Sequence, residues 1–159
     1  MKDFPTRLSL CRLAVFAVLL LGLVAGVAPA QKSDSVVKVA AKLSKSDTEG
    51  DQMVTITVDV DKPYHLYANP VGNPALKAAQ TTVRFSTPLA EEPKIEYPEG
   101  KLVKDDTVGN YKTYEGTVKI IAKVRRVKGD SAPLNFSIKV QACDKNSCLL
   151  PATIKKTAE

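Results

Sequence analysis

Val54, Ile56, Val58 and Val60 alternate with Thr55, Thr57 and Asp59. A period of two among β-branched residues predicts a strand with one buried face. The pattern recurs twice near the C-terminus. Val118, Ile120, Ala122 and Val124 share one face of a second long segment, and Leu134, Phe136, Ile138, Val140 and Ala142 share one face of a third. Residues 36–43 read as a first strand, and 64–67, 81–85 and 95–97 as shorter ones. Between them lie turn signals: the polar stretch 44–51, Asp61-Lys62-Pro63, Pro88, Pro93, the polar loop 104–110 and Lys128-Gly129-Asp130. Residues 69–74 hold Pro70 and Pro74, each without an amide donor and each restricting its predecessor, so this stretch is irregular. Residues 75–80 suit one helical turn. The pattern contains no long amphipathic helix and no internal repeat. Six to eight short strands predict an all-β fold, a two-sheet antiparallel sandwich.

The first 30 residues break this pattern. Lys2, Arg7 and Arg12 precede an apolar run over 13–27, which ends in Ala28-Pro29-Ala30. A charged start, a short apolar middle and an A-x-A end describe a secretory signal peptide, residues 1–30, cleaved after Ala30. The run is short for a membrane anchor, which needs about 20 apolar residues. Cys11 precedes the run and is badly placed for lipid attachment. Residues 31–35 follow as a polar leader, and 36–159 form the domain. The expected location is the periplasm or the exterior, where disulfides persist.

The 159 residues are 44% hydrophobic and 25% charged, a globular balance for one domain. Cleavage would remove three of 23 basic and one of 17 acidic residues, leaving a net charge of +4. Neither a basic stripe nor stacking aromatics are present, so the reading excludes nucleic acid as a partner. No Ser/His/Asp arrangement and no Gly-rich phosphate loop occurs.

Past the signal peptide two cysteines remain, Cys143 and Cys148, separated by the turn formers Asp144, Lys145, Asn146 and Ser147. A strand, a tight turn and a returning strand would set the two sulfurs opposite each other, within the ~4.4–6.8 Å Cα spacing of a disulfide. Closing a loop of about six residues gives only ~2 kcal/mol in the chain-entropy model, little for the global fold. If the alternation from Leu134 continues, Ala142 faces the core and Cys143 shares the wet side with Lys139 and Gln141, open to thiol exchange. Spacing alone leaves a structural disulfide, a redox pair and a metal site all open. Zinc needs two ligands more, and His65 is the only imidazole; copper(I) through the thiols with Met53 or His65 has no support from spacing.

Three segments carry a resemblance: Lys62-Pro63-Tyr64-His65-Leu66-Tyr67-Ala68-Asn69-Pro70, Ile95-Glu96-Tyr97-Pro98-Glu99-Gly100, and Gln141-Ala142-Cys143 through Cys148-Leu149-Leu150-Pro151. In this order and spacing residues 36–157 resemble the N-terminal periplasmic domain of the thiol:disulfide interchange protein DsbD. The resemblance implies an immunoglobulin-like β-sandwich with Cys143 and Cys148 as a redox pair at one end, and Cys148 as the sulfur that joins partners. It implies electron relay between thioredoxin-fold donors and acceptors, with a membrane electron carrier among the candidate partners, and neither a cofactor nor a metal. The membrane and thioredoxin-like parts of full-length DsbD are not in these residues, so separate proteins would supply the electrons. A cap loop implied by the family falls on 104–110. Asp105 and Asp106 match its acids, whereas Thr107 and Val108 stand where aromatic lid residues are expected. Four residues between the cysteines, where five are expected, is a second departure. Tyr64 and Tyr67 are candidate linings of the site, with strand-edge packing as the plainer reading. His65 reads more simply as a half-exposed strand residue. The competing function is a secreted β-sandwich binding module with a structural disulfide.

Overall fold

The computed structural model describes residues 30–158. The expected signal peptide, apart from Ala30, lies outside the described residues. Eleven strands follow in order: β1 (Val37–Leu43), β2 (Asp51–Val60), β3 (His65–Tyr67), β4 (Thr82–Phe85), β5 (Lys94–Glu96), β6 (Lys101–Val103), β7 (Tyr111–Tyr114), β8 (Thr117–Arg125), β9 (Leu134–Val140), β10 (Ala142–Cys143) and β11 (Ala152–Ala158). Two 3-10 segments, Ser33–Ser35 and Pro74–Ala79, complete the described elements. Among the described residues no helix is long and apolar enough to cross a membrane.

The strands pair antiparallel into three sheets, β1-β2-β8-β5, β10-β3-β7-β6 and β11-β9-β4. Only Gln141 separates β9 from β10, so one chain segment leaves the third sheet and enters the second. The long predicted strands are all present. Val54, Ile56 and Val58 of β2 and Ile120 and Ala122 of β8 have no exposed surface. They share one core with Leu134, Phe136, Ile138 and Val140 of β9 and with Val83 of β4. Burying each such branched or aromatic side chain is worth about 1.5–3 kcal/mol. The fold is the immunoglobulin-like antiparallel sandwich expected from the pattern and the resemblance.

The strand count exceeds the expected six to eight for a physical reason. β6 and β10 hold three and two residues, too few for a period to show. In β11 only Ala152 and Ala158 at its two ends are buried. It is held by its register with β9, Ala152 opposite Val140 through Ala158 opposite Leu134. The residues around Asn69-Pro70 are irregular, as expected. The Tyr114 hydroxyl binds them, donating to the carbonyls of Pro98 (2.9 Å) and Asn69 (3.2 Å) and accepting from the Asn69 amide (3.1 Å). Gly100 lets β6 begin close to its neighbours: a Cβ there would stand 2.5 Å from Ala68 Cβ and 2.9 Å from Lys112 Cβ.

The end of the sandwich at the β1–β2 turn is closed by charge. The Asp51 side chain is 5% exposed and lies between Lys123 Nζ (2.6 Å) and Arg125 Nε (2.6 Å). Hydrogen bonds from Arg125 and then Lys123 hold its carboxyl far below the ordinary value of 3.8. A carboxyl whose folded value is depressed stabilises the fold above its unfolded value, and loses that contribution as pH falls through the folded one. Asp51→Asn should therefore lower the melting temperature at neutral pH and shrink the gap toward wild type as the pH drops below about 4. Thermal melts across that range read the outcome.

Candidate functional site

Cys143 and Cys148 form a disulfide, with Sγ atoms 2.04 Å and Cα atoms 4.0 Å apart. They face each other as an antiparallel bridge. The flanking hydrogen bonds run from the Asp144 amide to the Ser147 carbonyl (2.9 Å) and from the Leu149 amide to the Ala142 carbonyl (2.8 Å). This makes the cysteines a non-hydrogen-bonded pair, the closer of the two antiparallel spacings, ~4.5 Å on average. The Cα spacing is thus slightly below the expected window. The hairpin tip is tied by Asp144, whose Oδ1 accepts from the amides of Asn146 (2.7 Å) and Ser147 (2.8 Å). These two amides are also the main reason its carboxyl sits below its ordinary value.

The two cysteines differ in exposure, and here one expectation is corrected. Ala142 faces the core as the alternation requires, but Cys143 is not wet: it is 2% exposed. The reason is the change of sheet at Gln141. β10 pairs with β3, so that Cys143 stands opposite His65 and Ala142 opposite Leu66. Opposed residues share a face, and His65 and Tyr67, two apart, flank Cys143 on the face turned from the core. The exposed member of the pair is Cys148.

The Tyr67 hydroxyl lies 3.7 Å from Cys143 Sγ and 3.9 Å from Cys148 Sγ. Disulfide sulfurs carry no proton, so the hydroxyl is the donor. Burial first, then the neighbouring Tyr111 and Asp105, push the Tyr67 phenol up, which keeps it protonated. Tyr111 packs on Tyr67 with ring centroids 5.7 Å apart, and the His65 ring meets Tyr67 edge-on at 6.1 Å. Burial pushes the His65 imidazole down, against the opposing pull of Glu115 and Asp144.

The remaining sequence candidates divide. Asp105 is half-buried, and its Oδ1 accepts from the amides of Thr107 (2.8 Å) and Val108 (2.9 Å), which lower its carboxyl. It reaches the site electrostatically, through Tyr67. Asp106, Thr107 and Val108 form the exposed tip of that turn, and the Val108 carbonyl is held by Asn73 Nδ2 at 2.7 Å. Among the described residues no hydrogen bond joins this loop to the cysteines. The aromatic ring beside Tyr67 comes instead from Tyr111, just past the loop. Tyr64 packs, partly buried, against the hydrophobic core. Sequence pattern gave no sign of Ser33, a buried residue hydrogen-bonded to both arms of the cysteine hairpin.

Residues 32–159 match the family model described as "Thiol:disulfide interchange protein DsbD, N-terminal". No curated protein matches the chain. The N-terminal periplasmic domain of ScsB from Proteus mirabilis is similar in fold, with a TM-score of 0.52 at 16% identity, over 75% of this chain and 44% of that one. The chain thus spans less than half the length of that relative. The N-terminal domain of DsbD from Neisseria meningitidis, in the reduced form, aligns with a TM-score of 0.45 at 15% identity, over 76% of this chain and 84% of that one.

Because Tyr67 is a donor to sulfur, its loss should be felt by a thiolate at Cys143. A hydrogen bond to a charged group contributes about 1.5–3 kcal/mol. In a Cys148→Ser background, Tyr67→Phe should raise the Cys143 thiol pKa by about one unit or more, read from thiolate ultraviolet absorbance against pH.

Proposed function

The chain belongs to the family of DsbD N-terminal domains, and from that premise we propose that it is a thiol–disulfide relay in which Cys143 and Cys148 are the reacting pair. The observation that carries this reading is the asymmetry of the pair, one cysteine exposed and the other buried. An attacking thiolate approaches a disulfide sulfur in line with the bond it breaks. Cys148 is the sulfur a docking partner can reach, and Cys143 is then the leaving group.

In the reducing direction the partner's thiolate bonds to Cys148 Sγ. The Cys143–Cys148 bond breaks, its electron pair passes to Cys143 Sγ, and the Tyr67 hydroxyl donates to the thiolate that forms. A second partner thiolate then attacks the partner sulfur of the mixed disulfide and frees Cys148. Donation to a client runs the other way: Cys148 attacks the client's disulfide, and Cys143 resolves the mixed disulfide. Tyr67 serves both directions, since it lies within 3.9 Å of either sulfur. Tyr111 packs on Tyr67, and Asp105 helps keep its phenol protonated.

The partners in this proposal are thioredoxin-fold proteins as donor and acceptor, with a membrane carrier upstream. The site is the periplasm or the exterior, reached by cleavage of residues 1–30 as an export signal, with 36–159 as the working domain. Neither a cofactor nor a metal takes part.

Cys143→Ser should leave Cys148 able to capture a thioredoxin-fold partner as a stable mixed disulfide from envelope extract, while Cys148→Ser should capture none. The equilibrium potential of the wild-type pair should lie well above the roughly −300 mV typical of structural bonds. No capture together with a potential below that value would favour a binding module with a structural bridge.

A further inference from the structure

The segment ahead of β1 runs beside the cysteine hairpin. Ser33 has no exposed surface although it lies in a three-residue 3-10 turn near the start of the described chain. Its hydroxyl donates to the Leu150 carbonyl at 2.8 Å and accepts from the Ala142 amide at 2.9 Å. The Ser33 amide also donates to the Leu150 carbonyl (2.9 Å), and the Leu150 amide donates to the Gln31 carbonyl (3.1 Å). Ala142 immediately precedes Cys143, and Leu150 follows Cys148 by two residues. One side chain therefore binds both arms of the hairpin, from 109 and 117 residues away along the chain.

We propose that Ser33 is a positioning residue for the redox pair: its hydroxyl keeps the two arms together when the disulfide is broken, so that the thiols remain close enough to re-form it. The proposal rests on the reading of Cys143 and Cys148 as a redox centre. Reduction removes the covalent tie between the arms. Near the cysteines, two inter-arm backbone bonds then remain, Asp144 to Ser147 and Leu149 to Ala142. β10 offers only two residues to its neighbour β3. Arms that part dilute one sulfur with respect to the other, and holding reactants in geometry is what raises their effective concentration. The disulfide and the Ser33 clamp close the same loop, so each favours the other.

The sign follows from this coupling. Without the hydroxyl, the oxidised hairpin is still closed by its covalent bond, whereas the reduced hairpin opens and gains freedom. The reduced form is favoured. In the reaction with oxidised glutathione, the two protein thiols give up two electrons and two protons, one protein disulfide forms, and two molecules of reduced glutathione are released. Ser33→Ala should lower the equilibrium constant for that reaction about five- to tenfold, as expected for one net hydrogen bond, which for a two-electron couple is about 20–30 mV less negative.

Ser35→Ala is the control. The Ser35 hydroxyl donates to the Lys32 carbonyl at 2.6 Å and accepts from Gln31 Nε2 at 3.0 Å, touching neither arm, and its constant should stay at the wild-type value. An unchanged constant in Ser33→Ala, or an equal shift in Ser35→Ala, overturns the proposal. A second measurement needs no variant: hydrogen exchange at the Ala142 amide of wild-type protein should remain slow after reduction, and loss of that protection on reduction overturns it too. The glutathione equilibrium involves no partner protein, so the two readings fail separately. Partner capture with a Ser33-independent constant removes the clamp alone. A Ser33-dependent constant without partner capture removes the relay alone.

Discussion

The site depends on a property of antiparallel pairing: two residues approach most closely where they exchange no hydrogen bonds. Cys143 and Cys148 occupy such a position, with their backbone bonds displaced to Asp144–Ser147 on one side and Ala142–Leu149 on the other. The disulfide therefore competes with no ladder bond, and it can open without any backbone group losing its partner. A pair one register away would have tied the sulfurs to amides that also hold the turn. Asp144 completes the arrangement, because its carboxylate satisfies the amides that the tight tip leaves free.

From this placement the difference between the sulfurs follows. Cys143 lies in the middle of a row, with His65 opposite on β3 and Cys148 opposite across the hairpin. Among the described residues the pairing of Cys148 itself is with Cys143 alone. This difference in pairing goes with the burial of Cys143 and the exposure of Cys148. Tyr67, the diagonal neighbour of Cys143, reaches both sulfurs because they are bonded to one another, and Tyr111 packs on it from β7.

The long strands were legible because each buries one full face. Val54 to Val60, Val118 to Val124 and Leu134 to Val140 repeat with period two over enough residues to be read. The chemistry was legible only through the cysteine spacing and the resemblance of three segments. Strand parity gave the direction of Ala142 correctly and the exposure of Cys143 wrongly. Parity states which side of a sheet a residue faces, and carries no information on what covers that side once β10 joins β3. Tyr111 gives no signal in the sequence because β7 is four residues long, and its place on the same face as Thr113 is read only against Tyr67 in the neighbouring strand. Ser33 was illegible for a stronger reason: a serine in a polar stretch looks solvated, and its partners lie more than 100 residues away.

The two halves of the structure are held by different means. β2, β8 and β9, with ten, nine and seven residues, carry continuous ladders and the larger share of the buried apolar side chains. The sheet around the cysteines is built from strands of two to four residues, too short to be stable alone. What closes it is a set of point ties: the Tyr114 hydroxyl on Asn69 and Pro98, Asp144 in the tip, Ser33 across the hairpin, and the disulfide itself. Regions that must open belong to the less stable part of a fold. A redox pair placed within the long ladders would be shielded and stiff; under the proposed relay, a pair placed among short strands would break and re-form one tie while the others keep the sulfurs in reach.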